Sequence, residues 1–365
     1  MTSCRVAIVG CGRMGQHYAE VYQALPDTDV VAIAEYDPER RRAMGERFGV
    51  GALFPDAAAM LREVVPDIAA VVLPGKYIKD AVVACAEAGV RGVSTDKPIG
   101  ACLTDVDAMV EVCRERGVVF AGGNLQRAMG QVQEAAAWLR AGQFGKLTGA
   151  SVHGWGGEIS GGGCQGLSVL RLFTADAEVD WVTGWCSDDG HSDATSAWVA
   201  TCASPTAATL SFTASARRWR ALRCCAARAC TTQTGTATIS GAGKPTANWR
   251  KTWAFSRSSG VPSAGWSPAA RVSDAGIQSI VDSLDKGIEP RCSGANMRKV
   301  LEIAIGLRES HRNGITKVEF PITDRSLRIF PAPSRFLNKK EVMSPEQYTE
   351  QIKASAGKPM GGAVG

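Results

Sequence analysis

Arg5-Val-Ala-Ile-Val-Gly10-Cys-Gly12-Arg-Met-Gly15 is the stretch that decides the fold class of this chain. Val6 to Val9 run apolar without a polar break, the pattern of a short strand buried on both faces of a parallel sheet. Three glycines follow at the G-x-G-x-x-G spacing, and a helical pattern begins at about Arg13. The spacing has a mechanical reason. Gly10 permits a tight turn out of the strand, Gly12 lets the backbone lie against a pyrophosphate, and Gly15 lets the helix pack close to the strand. The unpaired N–H groups and the positive dipole end of that helix then face the phosphates. Gly10, Cys11, Gly12, Arg13, Met14 and Gly15 are therefore candidate contacts of a dinucleotide.

By itself this spacing also fits a glycine-rich turn in some other α/β protein. Here it has its context. A second apolar run, Val30-Val-Ala-Ile-Ala34, ends in Glu35, 20 residues past Gly15, where an acid would hold the adenosine ribose hydroxyls. A carboxylate there repels a 2′-phosphate, so NAD is expected ahead of NADP. Arg40, Arg41 and Arg42 would soften that preference if they faced the ribose. The reading adopted is that they form the solvated face of a helix, Pro38–Phe48.

A chain of 365 residues is long enough for two domains with substantial cores. Its hydrophobic fraction of 45% and charged fraction of 21% are ordinary for a globular protein. No apolar run reaches the roughly 18–20 residues needed to span a bilayer. The first strand begins within the first six residues, leaving no room for a signal peptide, so a cytoplasmic protein with no membrane partner is expected. Twelve cysteines are scattered along the chain with no Cys-x-x-Cys. Cys224-Cys225 and Cys230 have no histidine nearby. Free thiols are expected rather than disulfides or zinc ligands, and no metal site is expected.

The first 122 residues alternate strand and helix patterns. The helix after Gly15 carries Met14, Tyr18, Val21, Tyr22 and Leu25 at helical spacing. Helices are expected over Pro38–Phe48, Pro55–Val65, Ile78–Ala88 and Leu103–Arg116. Strands are expected at Ile68–Leu73, near Val93 and over Val118–Ala121. This β-α succession predicts a doubly wound parallel sheet. Pro74-Gly75 breaks the Ile68 strand at the carboxyl end of the sheet, where ligands bind in such folds. Leu73 and Pro74 are accordingly expected to line the nicotinamide side.

Asp96-Lys97-Pro98 lies at the mouth of the same sheet. An ammonium there can donate to a substrate hydroxyl or carbonyl oxygen, and desolvation would lower its pKa enough to move a proton. Asp96 would orient Lys97, and Pro98 would carry a cis bond that sets the turn. The competing reading is a surface lysine before a turn proline, and position alone does not separate the two.

These residues carry a resemblance. The chain resembles the Gfo/Idh/MocA family of NAD(P)-dependent oxidoreductases through Gly10–Gly15, Glu35 and Thr95-Asp96-Lys97-Pro98, the last being similar to the family's E-K-P. Asn124-Leu-Gln126-Arg127, Leu139–Gly145 and the segment from Pro290 to Gly314 are also similar to it. The resemblance covers about residues 1–180 and 272–325. It implies an N-terminal Rossmann domain over 1–122. An α+β substrate and oligomerisation domain with a large, mostly antiparallel sheet follows over 123–330, and a tail over 331–365. It implies hydride transfer between NAD and a hydroxyl or carbonyl of a sugar, inositol or related polyol, with Lys97 catalytic. It also implies a homodimer or homotetramer formed through the C-terminal sheet.

Gly161-Gly-Gly-Cys164-Gln165-Gly-Leu-Ser168 resembles the family's G-x-H-x-x-D pattern, whose histidine assists proton transfer. Gln165 stands at the histidine position and Ser168 at the aspartate position; Ile78 stands where many relatives carry a histidine. Glutamine can hydrogen-bond a hydroxyl but is no general base near neutral pH. Gln165 and His153 are nonetheless expected to join Lys97 as catalytic residues, and Arg127, His153, Trp155 and Gln165 are expected near the substrate. Of the other histidines, His17 and His311 have structural explanations and His191 falls in a polar loop. Gln165 keeps two alternatives open: a nucleotide-binding protein with weak or no redox turnover, or a glycosidase that uses NAD transiently.

Ala194–Ser273 stands apart. It holds ten Lys or Arg and no Asp or Glu, while the rest of the chain carries 31 basic against 36 acidic residues. One reading is a basic face for an acidic ligand. A nucleic-acid surface is the weaker reading, since no binding module is recognisable, and no nucleic-acid partner is expected. A third reading is a locally frame-shifted segment, which would leave a poorly packed sheet edge. Beyond it, helices are expected over Asp274–Lys286 and Ser293–Glu309, the latter capped by Ser293, and a strand over Lys317–Ile322.

Overall fold

The computed structural model describes residues 3–123, 125–145, 147–153, 159–186, 198–203, 210–214, 221–226, 229–233, 237–240, 274–329, 342–347 and 350. The first strand is β1 (Cys4–Val9), and its buried Val6–Val9 run follows from the unbroken apolar sequence. Helix α1 (Arg13–Ala24) leads to β2 (Thr28–Ala34), and α2 (Pro38–Phe48) to the short β3 (Leu53–Phe54). Then come α3 (Ala57–Glu63), β4 (Ile68–Val71), α4 (Gly75–Glu87), β5 (Gly92–Thr95), α5 (Leu103–Glu115) and β6 (Val119–Ala121). The six strands form one parallel sheet in the order β3-β2-β1-β4-β5-β6. The order reverses direction beside β1, and that is where the glycine turn emerges.

Local chemistry sets the helix limits. Asp37 caps α2 by accepting from the Glu39 and Arg40 N–H groups, and Gly49 closes it at φ 68°. Asp56 accepts from Ala59 N–H at 2.7 Å, so α3 starts at Ala57 rather than at Pro55. Helix α4 starts at Gly75, three residues before Ile78, because Pro74 is already in extended backbone as its N-cap. Ile78 is a buried core residue on that helix.

Past β6, α6 (Leu125–Ala128) and α7 (Gly130–Arg140) lead into β7 (Leu147–His153). A π-helical turn, Ile159–Gly163, opens α8 (Cys164–Phe173), which is buried along almost its whole length. A second, eight-stranded sheet follows. It uses β7, β8 (Trp181–Cys186), β9 (Trp198–Ala203), β10 (Leu210–Ala214), β11 (Ala221–Ala226), β12 (Ala229–Gln233), β13 (Ala237–Ser240) and β14 (Val318–Glu319). Its order is β13-β12-β11-β7-β10-β9-β8-β14, and β10 runs parallel to β7. The rest of Ala194–Ser273 lies outside the described residues. Helices α9 (Asp274–Lys286) and α10 (Gly294–Arg312) complete the elements. Ser293 caps α10 by accepting from Asn296 N–H at 3.3 Å. The strand expected over Lys317–Ile322 shrinks to Val318–Glu319, since Pro321 has no N–H to give a ladder. Among the described residues no helix is long and apolar enough to cross a membrane.

Candidate dinucleotide and active site

The glycine turn is built by close contact. Gly10 has φ 91°, and a Cβ on it would lie 2.4 Å from the Val72 carbonyl oxygen. A Cβ on Gly15 would lie 1.9 Å from the Gly10 carbonyl oxygen, so only glycine lets α1 rest on the turn. Gly12 differs: nothing lies within 4 Å of where its Cβ would be. That open space faces the start of α1, whose N-cap is Gly12 itself. The first turn carries no capping side chain and no acid. Its first N–H groups lack intrahelical partners, and the dipole end is uncompensated. This is the surface a pyrophosphate fits.

Glu35 follows β2 and is 4% exposed. Its Oε2 accepts from Cys11 N–H at 2.7 Å, and its Oε1 accepts from Asp37 N–H at 3.1 Å and from the Arg40 guanidinium at 3.2 Å. Arg41 donates to the Glu35 carbonyl at 2.6 Å. The solvated-face reading thus holds for Arg42, whose side chain is 74% exposed, and fails for the other two. Arg40 is buried because α2 is capped by Asp37, which turns its first residues back onto the end of β2. The helical period alone carries no trace of that. Cys11 is fully buried; burial first, and then the Glu35 carboxylate, push its thiol pKa far up, so it is inert.

Leu73 and Pro74 lie half-buried at the end of β4. Across from them, β5 ends in Asp96, Lys97 and Pro98, and the Lys97–Pro98 bond is cis. Asp96 and Lys97 are half-buried. Asp96 packs against the backbone after β6: a Cβ on Gly123 would lie 2.6 Å from Asp96 Cα. Asp96 Oδ1 and, on α6, Gln126 Oε1 are buried and have no hydrogen-bond partner among the described residues. Each is an acceptor whose donor is not supplied by the described residues.

Arg127 is turned inward. Its guanidinium donates to both carboxylate oxygens of Asp176, at 2.8 and 2.6 Å, to the Arg291 carbonyl at 2.8 Å and to the Ser168 carbonyl at 3.0 Å. It ties α6 to α8 and to the turn before α10. Asp176 also accepts from Asn296 at 2.7 Å. Burial opposes the Asp176 carboxylate, but Arg127, Asn296 and Arg171 outweigh it and hold its pKa below the ordinary carboxyl value. Arg127, Asp176 and Asn296 form a cluster that sequence patterns do not reveal, because its members are up to 169 residues apart.

Gln165 stands half-buried in the first turn of α8, just after the π-helical turn, an element frequent at functional sites. Ser168 is fully buried and donates to Met297 Sδ at 3.6 Å, so it faces the core. His153 pairs through its backbone with Thr213 and Ala221. Trp155 and His191 lie outside the described residues. His17 is half-buried on α1, and His311 meets Trp185 edge-on at 6.4 Å near the end of α10. Cys4, Cys11, Cys85, Cys102 and Cys113 are free thiols.

Residues 4–123 match the model of the oxidoreductase family with an NAD-binding Rossmann fold, GFO_IDH_MocA. The chain is 31% identical over 139 residues to D-apiose dehydrogenase of Paraburkholderia graminis, covering 38% of this chain and 37% of that protein. It is 31% identical over 121 residues to myo-inositol 2-dehydrogenase of Thermotoga maritima, covering 33% and 36%. The matched stretches thus span little more than a third of either relative. Among solved structures, an inositol dehydrogenase homolog from Azotobacter vinelandii, complexed with NADH and myo-inositol, superposes with a TM-score of 0.72. That alignment covers 87% of this chain and 98% of the other at 15% identity, a likeness of fold.

Proposed function

We propose, from the match of residues 4–123 to the Gfo/Idh/MocA oxidoreductase family, that this chain is an NAD-dependent dehydrogenase of a sugar, inositol or related polyol. The observation that carries the reading is the uncapped start of α1, open at Gly12 and bounded by the buried Glu35. Gly10 to Gly15 would hold the pyrophosphate on backbone N–H groups, and Glu35 would set the adenosine ribose. Bound nicotinamide would supply the two-electron chemistry that no side chain has. The Lys97 ammonium would hold the reacting oxygen of the substrate and carry its proton, stabilising alkoxide character in the transition state. Asp96 and Gln126 would accept from substrate or cofactor hydroxyls. Residues 1–122 would form the nucleotide domain and 123–330 the substrate domain. The eight-stranded sheet would be the face that pairs copies into a homo-oligomer.

Calorimetry of the purified chain with NAD and NADP, followed by an NADH absorbance screen over sugars and inositols, tests this. NAD binding with turnover on a polyol is the expected result. No binding by a folded chain would end the proposal.

Gln165 favours one second reading, a nucleotide-binding protein with little turnover. NAD binding without turnover, and NADH production gained by Gln165→His, would establish it. Release of free sugar without net NADH would instead mark a glycosidase.

A further inference from the structure

Gln16 stands in the first turn of α1 and is fully buried, an uncommon place for a glutamine side chain. Its Nε2 donates to the Cys11 carbonyl at 3.2 Å, in the middle of the glycine turn. Its Oε1 accepts from Met343 N–H at 3.1 Å, 327 residues away. The neighbouring Val342 packs against the apolar cluster formed by Cys11, Tyr18, Tyr22 and Met44. Cys11 N–H is meanwhile held by Glu35 at 2.7 Å. One hydrogen-bonded chain therefore runs from the C-terminal segment through Gln16 and Cys11 to Glu35 and Arg40. It pins Cys11 from both its N–H and its C=O, and leaves the N–H groups at the start of α1 to a ligand.

We propose that Gln16 is a positioning residue for the phosphate-binding turn and that residues 342–344 latch it. Docking of this segment and dinucleotide binding are coupled, and by linkage each strengthens the other. The inference rests on the reading of the turn as the dinucleotide site. Gln16 touches no phosphate; it acts through the Cys11 peptide, so the effect belongs to ligands that carry a pyrophosphate.

Two variants remove the latch while keeping the chain intact. Met343→Pro deletes the N–H, and Gln16→Leu deletes both bonds at similar volume. Calorimetry with NAD, ADP-ribose and adenosine is compared with the parent chain, with thermal melting of the unliganded proteins alongside. The expected result is an affinity loss of about fivefold or more for NAD and ADP-ribose in both variants. Adenosine affinity should hold, and melting of Met343→Pro should change little. Hydrogen exchange on the parent chain should show Met343 N–H protected further when NAD is bound. NAD affinity of Met343→Pro within twofold of the parent, or tighter than it, would overturn the latch while leaving the dehydrogenase reading intact. An equal loss for adenosine would make the role merely structural and overturn it too. Failure of the folded parent chain to bind NAD would remove both readings together.

Discussion

Lys97 and Glu35 are the two residues on which the proposed chemistry turns, and each makes its own prediction. Lys97→Ala removes the only ammonium of the Asp96-Lys97-Pro98 turn. NAD-linked turnover should fall by about 10²–10⁴, the usual worth of a positioned acid or base, while NAD binding holds. Stopped-flow NADH absorbance on the substrate found in the screen measures it, and unchanged turnover removes Lys97 from the mechanism. Glu35 is more ambiguous than an isolated acid would be. Its carboxylate discourages a 2′-phosphate, but Arg40 already neutralises part of that charge. Glu35→Ala leaves Arg40 and Arg41 beside the proposed ribose site and should move the NADP-to-NAD affinity ratio toward NADP by about tenfold or more. The ratio is read on one variant, so any loss of stability from the orphaned Cys11 N–H cancels.

At the scale of elements, the contact between α1 and the glycine turn is the tightest feature of the site. In Gly15→Ala the new methyl would sit inside the Gly10 carbonyl, and backbone has nowhere to yield. The variant should lose about 1–3 kcal/mol or more of stability by urea unfolding and lose NAD binding altogether. A second contact joins α6, α8 and α10 through Arg127, Asp176 and Asn296. Asp176 sits with Ala175 in left-handed backbone, at φ 55° and 56°, so the chain accepts strain to aim this carboxylate. Because its folded pKa lies below the unfolded value, its stabilisation is complete above about pH 4 and is lost as pH falls through the folded pKa. Asp176→Asn should lower the melting midpoint at pH 7 and flatten the fall of that midpoint between about pH 5 and 2. Midpoints falling in parallel for parent and variant would remove Asp176 from the acid transition.

Across the whole molecule, residues 322–329 stitch the Rossmann sheet to the later helices. Thr104 N–H donates to Arg325 O at 2.9 Å, and Ile329 N–H to Ala101 O at 2.8 Å. The Arg325 guanidinium meets Asp107 of α5 at 2.7 and 2.8 Å and also pairs with the buried Glu302 of α10. Asp107 is shared with Arg298. Burial raises the Asp107 pKa, but the two guanidinium groups outweigh it, so the carboxylate stays charged at neutral pH. Arg325→Ala should cost about 2–3 kcal/mol in urea unfolding: less than a fully buried pair, since Asp107 and Arg325 are partly exposed. A loss under about 0.5 kcal/mol would reduce the cluster to surface decoration.

The sequence by itself determined the parallel sheet, the place of the glycine turn and the acid at Glu35. Those signals are local: an apolar run, a fixed glycine spacing, an acid one strand later. The bounds of Pro38–Phe48 were legible for the same reason, because that helix carries its own start and stop signals in Asp37 and Gly49. Tertiary structure alone decided which charged and polar side chains are held by distant parts of the chain. Arg40 reads as surface on its helix yet is buried against Glu35. Arg127 is held by Asp176, 49 residues further along the chain. Gln16 reads as one more helix residue yet joins the turn to position 343. In each case the deciding partner lies on another element. Side-chain periodicity describes one element at a time; the hydrogen-bond partners of a buried polar group are chosen by packing across several.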